Sequence, residues 1–292
     1  MISVTAAIQQ ITACRTSWGK SIRTTAEALG CVLAIPPAFD GAGPSPELIL
    51  PLPEAGTRLT GRQLALLTDM GIARVSVQAP PSVVFIGIGE GDGSTHPQIN
   101  RLTVEGALAH YGIPLHPGIF VTAGTPALQK AVEESMDADI MIICGNIPPK
   151  MLTDAGVEQV FNRVKAHPCQ PFWFGYSPTK TRVFLMPSHP FAVQVAVKLF
   201  LESYLKACWS MGPIKPWLLP YTEHRSPVVQ LDEYLPAATV HRNGLKVRAM
   251  SFSGKTDIAA AARADGIICH SIELGSLEPS SLVPFFPWHD PS

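Results

Sequence analysis

Val83-Val84-Phe85-Ile86-Gly87-Ile88-Gly89-Glu90-Gly91-Asp92-Gly93 is an apolar run, rich in β-branched and aromatic residues, that stops abruptly in glycines and acids. Such a run reads as a buried parallel strand whose carboxyl end opens into a loop. A second run of the same kind, Asp139-Ile140-Met141-Ile142-Ile143-Cys144-Gly145-Asn146, follows after a stretch with helical spacing. In open α/β sheets ligands bind outside the carboxyl ends of the strands. Two such ends on one sheet define a crevice, and the question is what occupies it.

The flanking patterns extend this reading. Residues 2–13 carry apolar side chains at helical spacing behind Ser3, a candidate N-cap, and 24–33 is a second short helical candidate. Residues 35–53 are rich in proline and glycine and read as an extended connector. Thr60 caps a helix over 61–70 that Gly71 ends, and a short strand at 74–77 leads to the boundary Ala79-Pro80-Pro81. From 82 to 208 strands and helices alternate, with helices at 98–111, 125–136, 156–166 and 190–209. A strand is expected at 117–121 and a hairpin from 171–176 with 182–186. Alternation of this kind implies a mostly parallel sheet flanked by helices, an α/β fold. Beyond Gly212-Pro213 and Pro216, short strands at 226–231, 238–241, 245–249 and 266–270, with the hairpin signal Asn243-Gly244, predict a small C-terminal β domain. The apolar tail 284–288 is expected to pack back onto the fold. The organisation is therefore an N-terminal helical and extended segment (1–80), an α/β domain (81–211) and a β domain (212–292).

Composition limits the partners. The 292 residues are 46% hydrophobic and 15% charged, with a net charge of −1, so a large core is expected and no basic excess points to nucleic acid or an anionic membrane. The six cysteines are scattered without a C-x-x-C pair, which fits free thiols in a reducing cytosol. The first residues lack the basic region of a signal peptide, and no apolar stretch approaches the ~20 residues that span a bilayer. A soluble, cytoplasmic protein is expected.

The order of several segments resembles a known family. Ala55-Gly56-Thr57-Arg58-Leu59-Thr60, followed by Leu67-Thr68-Asp69-Met70-Gly71-Ile72-Ala73, is similar to the entry into the molybdopterin-binding domain of MoeA-type molybdopterin molybdenumtransferases. The strand at Val83 resembles the one before the family's T-G-D-E motif, and Ile99-Asn100-Arg101 its S/T-N-R helix start. Asp139 to Asn146 resembles the strand leading into S-G-G-x-S. Gln170-Pro171-Phe172-Trp173-Phe174-Gly175 is similar to K-P-x-x-F-G, Pro187-Ser188-His189-Pro190 to P-G-N-P, and Ser253-Gly254 through Ala264-Asp265-Gly266 to S-G…A-D-G. The family's β-rich insert has only one echo, Phe39-Asp40-Gly41-Ala42, so the chain reads as a shortened and divergent member.

That resemblance implies a molybdopterin-binding α/β domain, a homodimer, and insertion of molybdate into adenylylated molybdopterin with release of AMP, Mg2+ helping at the phosphates. It assigns Glu90, Asp92 and Asp154 to catalysis, Glu90 and Asp92 also to metal. It assigns Gly89, Gly91, Ser94, Asn100, Gly145, Asn146, His167, Gln170, Pro187, Ser188, His189, Ser253 and Lys255 to the pterin or its phosphate. The residues meet this list only in part. Glu90 and Gly91 stand where the family has Asp and Glu, and Asp92 either reaches the same space or is a solvated loop acid. Pro148 and Pro149 each remove an amide donor from the second loop. His167 and Gln170 replace two lysines, removing fixed positive charge; His167 either restores some when protonated or is a plain loop histidine. Ser188 beside His189 is not a nucleophile and base, because adjacent residues rarely give that geometry. Ser253-Gly254-Lys255-Thr256 is not a P-loop, because Ala249 occupies the place of the first glycine. His96, His110, His116, His224 and His270 lack ligand spacing. Alongside the transferase stands a non-catalytic molybdopterin- or nucleotide-binding, regulatory paralogue. A hydrolase of nucleotide-like ligands is a third reading without a motif of its own.

Overall fold

The computed structural model describes residues 1–37, 52–91, 93–177, 181–241, 244–254 and 257–289. Ser3 accepts the Ala6 amide at 3.1 Å and starts α1 (Val4–Ala13). Strand β1 (Lys20–Thr24) follows, then a single 3-10 turn at Thr25–Glu27. The helix expected over 24–33 does not form beyond that turn, and β1 was hidden because four of its five side chains face outward and show no alternation. Helix α2 (Gly61–Asp69) opens on a reciprocal capping box between Thr60 and Gln63, and strand β2 (Arg74–Gln78) pairs antiparallel with β1. Val4, Ala7 and Ile11 of α1 join the main core, whereas Ala28, Leu33, Leu59, Leu67, Ile72, Val75 and Val77 build a small core of their own. The first 80 residues thus divide between two cores. Phe39-Asp40-Gly41-Ala42 lies outside the described residues.

The body contains β3 (Val83–Gly89), α3 (His96–Ala109), β4 (Ile119–Thr122), α4 (Pro126–Glu134), β5 (Ile140–Cys144) and α5 (Pro149–Asp154). Then come β6 (Glu158–Asn162), β7 (Ala166–His167), β8 (Trp173–Tyr176) and β9 (Arg182–Met186). Last is a long helix made of α6 (Pro190–Ala196), a π segment (Val197–Leu201) and α7 (Glu202–Cys208). Strands order β4-β3-β5-β9-β8-β6; β3, β4, β5 and β9 are parallel, and β8 is antiparallel to both its neighbours. The helix expected over 156–166 is strand β6 instead. As an edge strand it buries only Phe161, so its period of two never surfaces in the sequence. Every residue of β5 is buried. Ile140, Ile142 and Cys144 face the core under α1, α3 and the long helix, and Met141 and Ile143 face the core under α4 and α5. That two-sided burial is why the run is continuously apolar.

The C-terminal part holds β10 (Trp217–Pro220), β11 (Asp232–His241), β12 (Leu245–Ala249), α8 (Ile258–Arg263), β13 (Gly266–His270) and β14 (Leu282–Pro287), in the order β10-β14-β13-β11-β12. The body's β7 adds to this sheet by pairing parallel with β11. The strand expected at 226–231 does not form; Val228 is 71% exposed, so its apolar run has nothing to pack on. The tail does pack back, as β14 between β10 and β13. Asn243 lies outside the described residues, but β11 and β12 pair from His241↔Leu245 as a hairpin requires. Among the described residues no helix is long and apolar enough to cross a membrane.

Candidate functional site

The tips of β3, β5 and β9 lie side by side, with Gly87 opposite Cys144 and Cys144 opposite Met186. Beyond β5 and β9 opens a cleft of about 610 Å³. Seven of the residues singled out in the sequence line it: Gly145, Asn146, His167, Gln170, Pro187, Ser188 and His189. They come from three segments far apart in the chain. Parallel pairing of β5 with β9 sets two of them, and the β6–β7–β8 loops set the third.

Each segment has a local reason for its shape. Gly145 has φ +147, and a Cβ there would sit 2.5 Å from Ile88 Cβ, so the glycine is required by the close approach of the β3 tip. Its amide donates to the Met186 carbonyl at 3.2 Å, which ties β5 to β9. His189 is the N-cap of the long helix, with Pro190 at the first helical position. Asn100 is 1% exposed and does not line the cleft; its Nδ2 donates to the Ser188 carbonyl at 2.8 Å and holds that loop against α3. The His96 ring meets the His189 ring edge-on, with centroids 5.8 Å apart. Gln170 donates to Met1 Sδ at 3.4 Å.

The cleft also contains a cation that the sequence did not single out. Arg163 lies on it, exposed, with φ +67 in the left-handed region that non-glycine residues seldom adopt. Its carbonyl accepts the Ile2 amide at 3.1 Å, so the N-terminal strand of backbone pins this turn. The sequence signal was absent because 156–166 read as a helix, which placed Arg163 on an arbitrary face. With Arg163, His167 and His189 on the walls and no carboxylate among the described lining residues, the cleft favours an anion.

Other singled-out residues lie elsewhere. Glu90 and Gly91 are exposed just past the end of β3, and Gly89 is half-buried at its tip. Ser94 Oγ accepts the His96 amide at 3.2 Å, at the start of α3. Asp154 does not line the cleft; it forms an exposed ion pair with Lys150, 2.6 Å away, on α5. Ser253 donates through Oγ to Asp257 at 3.0 Å, where Asp257 caps α8. The Asp257 carboxyl is held below the usual carboxylate range by the Ala260 amide and then by Ser253. Asp92 and Lys255 lie outside the described residues. Among the described residues no group of three or more His, Cys, Asp or Glu could hold a metal ion. A resident divalent cation does not fit the described cleft lining, which supplies no carboxylate.

Cys144 and Cys169 both adjoin lining residues in the chain, and burial pushes the Cys144 thiol far above the ordinary range. Burial likewise pushes Cys169 and Cys269 up to about 12. None of these three is a thiolate nucleophile at neutral pH.

No protein-family model and no curated protein matches the sequence. Solved structures do match. A molybdopterin biosynthesis MoeA protein from Pyrococcus horikoshii superimposes with a TM-score of 0.77 at 17% identity, over 99% of this chain and 100% of that chain. A molybdenum cofactor biosynthesis protein from Pyrococcus furiosus gives 0.74 at 18% identity, over 98% and 100%. A second structure of a P. horikoshii MoeA protein gives 0.75 at 13% identity, over 98% and 100%. Likeness at these identities speaks for architecture, and the architecture is that of the MoeA-type molybdopterin biosynthesis proteins.

Proposed function

We propose that this chain binds molybdopterin, or its adenylate, in the cleft beyond β5 and β9, as a cytoplasmic, homodimeric protein of molybdenum-cofactor metabolism. One observation carries the reading: Gly145, Asn146, Ser188 and His189 converge on one hollow with Arg163 and His167, and no described carboxylate opposes an anion there. The pterin phosphate would lie near Arg163 and the start of the long helix, where unpaired amides and the helix dipole favour negative charge.

Binding without turnover is the form the described lining supports best. Carboxylates that would handle a metal-oxo centre are missing from the described walls, and Asp154 is committed to Lys150. Insertion of molybdate, with Glu90 just past the neighbouring β3 tip and Asp92 two residues further along the chain, is the second reading. It is favoured by the adjacency of that tip to β5.

Calorimetry with molybdopterin should show saturable binding, and Arg163→Gln should weaken it about tenfold, the value of one charge-assisted contact. Failure to bind molybdopterin, its adenylate and molybdate would remove the reading altogether. A conversion assay on adenylylated molybdopterin, beside an active control, separates the two forms: release of AMP establishes the transferase.

A further inference from the structure

A second cavity, of about 360 Å³, lies away from the cleft where the three parts of the chain meet. Arg58 comes from the N-terminal unit, His110 and Tyr111 follow α3, Lys206 is near the end of α7, and Lys215 and Trp217 belong to the linker and β10. The seam behind it is tight. A Cβ on Gly56 would lie 2.8 Å from the Ser210 carbonyl oxygen, so the two backbones pack closely beside the lining residues Thr57 and Met211.

Its chemistry is one-sided. Among the described lining residues three are basic and none is acidic, in a chain whose net charge is −1. Among the described residues neither Arg58 nor Lys215 has a carboxylate within ion-pair distance. Arg58 Nη1 donates to the His110 carbonyl at 3.5 Å, which positions the guanidinium and leaves most of its five donors for a guest. Arg58 and Lys215, two like charges lining one partly enclosed hollow, are better accommodated once an anion joins them. The aromatic side fits a ring: Trp217 is 36% exposed on the wall, and its other edge is held by Phe285 with centroids 5.9 Å apart. The volume suits a small molecule and excludes a macromolecule.

We propose that this junction is a second ligand site, for a phosphorylated aromatic metabolite of the nucleotide class. Arg58 and Lys215 take the phosphates, and Trp217 takes the ring. Because the lining comes from all three parts, occupancy straps them together and stabilises the whole chain.

The test titrates the full chain with ATP, AMP, pyrophosphate and adenosine, read by calorimetry and tryptophan fluorescence. ATP should bind saturably and change the fluorescence, and Trp217→Phe should abolish that change. The double variant Arg58→Gln, Lys215→Gln should weaken binding about a hundredfold, roughly tenfold per cation. Arg163→Gln should leave it unaltered, which separates this site from the cleft. Circular dichroism and the melting temperature of the unliganded variants check their folding. Pyrophosphate binding as tightly as ATP, or a fluorescence change that survives Trp217→Phe, overturns the ring assignment. No saturable binding, or binding insensitive to the double variant, overturns the site.

Discussion

Gly145 shows how a motif glycine can be retained for packing. The sequence reads it as a place where backbone approaches a ligand, but its missing side chain is first required by Ile88 on the neighbouring strand. Gly175 and Gly266 behave alike. A Cβ on Gly175 would lie 2.4 Å from the Trp173 ring, and one on Gly266 would lie 2.2 Å from the Phe286 carbonyl oxygen. Beside Gly266, Asp265 accepts the Thr239 amide at 2.7 Å and the Thr239 hydroxyl at 2.6 Å. The hydroxyl bond first, then the amide, keeps that carboxyl below its ordinary range. Several residues that carry the resemblance therefore report the fold more than the chemistry. Gly145→Ala is expected to destabilise the protein by about 2–4 kcal/mol, combining overpacking with an unfavourable φ. Urea denaturation checks it; an unchanged midpoint would mean that β3 and β5 do not approach so closely.

The long helix is the element whose interior departs most from its sequence reading. Its apolar spacing predicts one uniform helix over 190–209. The path is continuous, but the turn at Val197–Leu201 widens to π geometry. Lys198 within this turn and Glu202 at the start of α7 pair at 3.0 Å, with side chains only 2% and 11% exposed. Tyr111 donates to the same carboxylate at 3.4 Å, and Lys198 reaches the Trp288 carbonyl at 3.5 Å, so the pair links the helix to the turn after α3 and to the C-terminal tail. Glu202→Gln removes the carboxylate that faces a buried ammonium, and a loss of about 3–5 kcal/mol is expected. The double change Lys198→Met with Glu202→Leu removes both charges and should recover most of that loss. Chemical denaturation of the three proteins tests this; equal losses in single and double variants would show that volume, not charge, governs the position. From sequence, the helix was legible through its apolar period, whereas β1, β6 and the failed strand at 226–231 were not. Edge strands bury one face weakly, and an apolar run without a partner stays irregular.

Taken whole, the described residues bury four apolar cores, and that of the N-terminal unit is the slightest. Its sheet has two strands, and Ile22 and Leu29 there are 72% and 64% exposed. A two-stranded sheet is marginal by itself, and apolar side chains left in water favour association. The proposed homodimer should therefore cover this unit. Light scattering is expected to give a mass near twice 31.4 kDa. A mass of one chain throughout the micromolar range would exclude the dimer.

The apolar runs at 83–89 and 140–144 were enough to establish a parallel α/β body, because burial on both faces leaves its mark in every residue of a strand. The proline-rich boundaries and the Thr60 and Ser3 caps were equally plain, since capping is chemistry between residues three apart. The makeup of the cleft was not. Arg163 reaches it through a left-handed turn, Asn100 serves it from behind, and Asp154 is absent from it, all because contacts between distant segments set where a side chain ends up. Local spacing carries no record of those contacts.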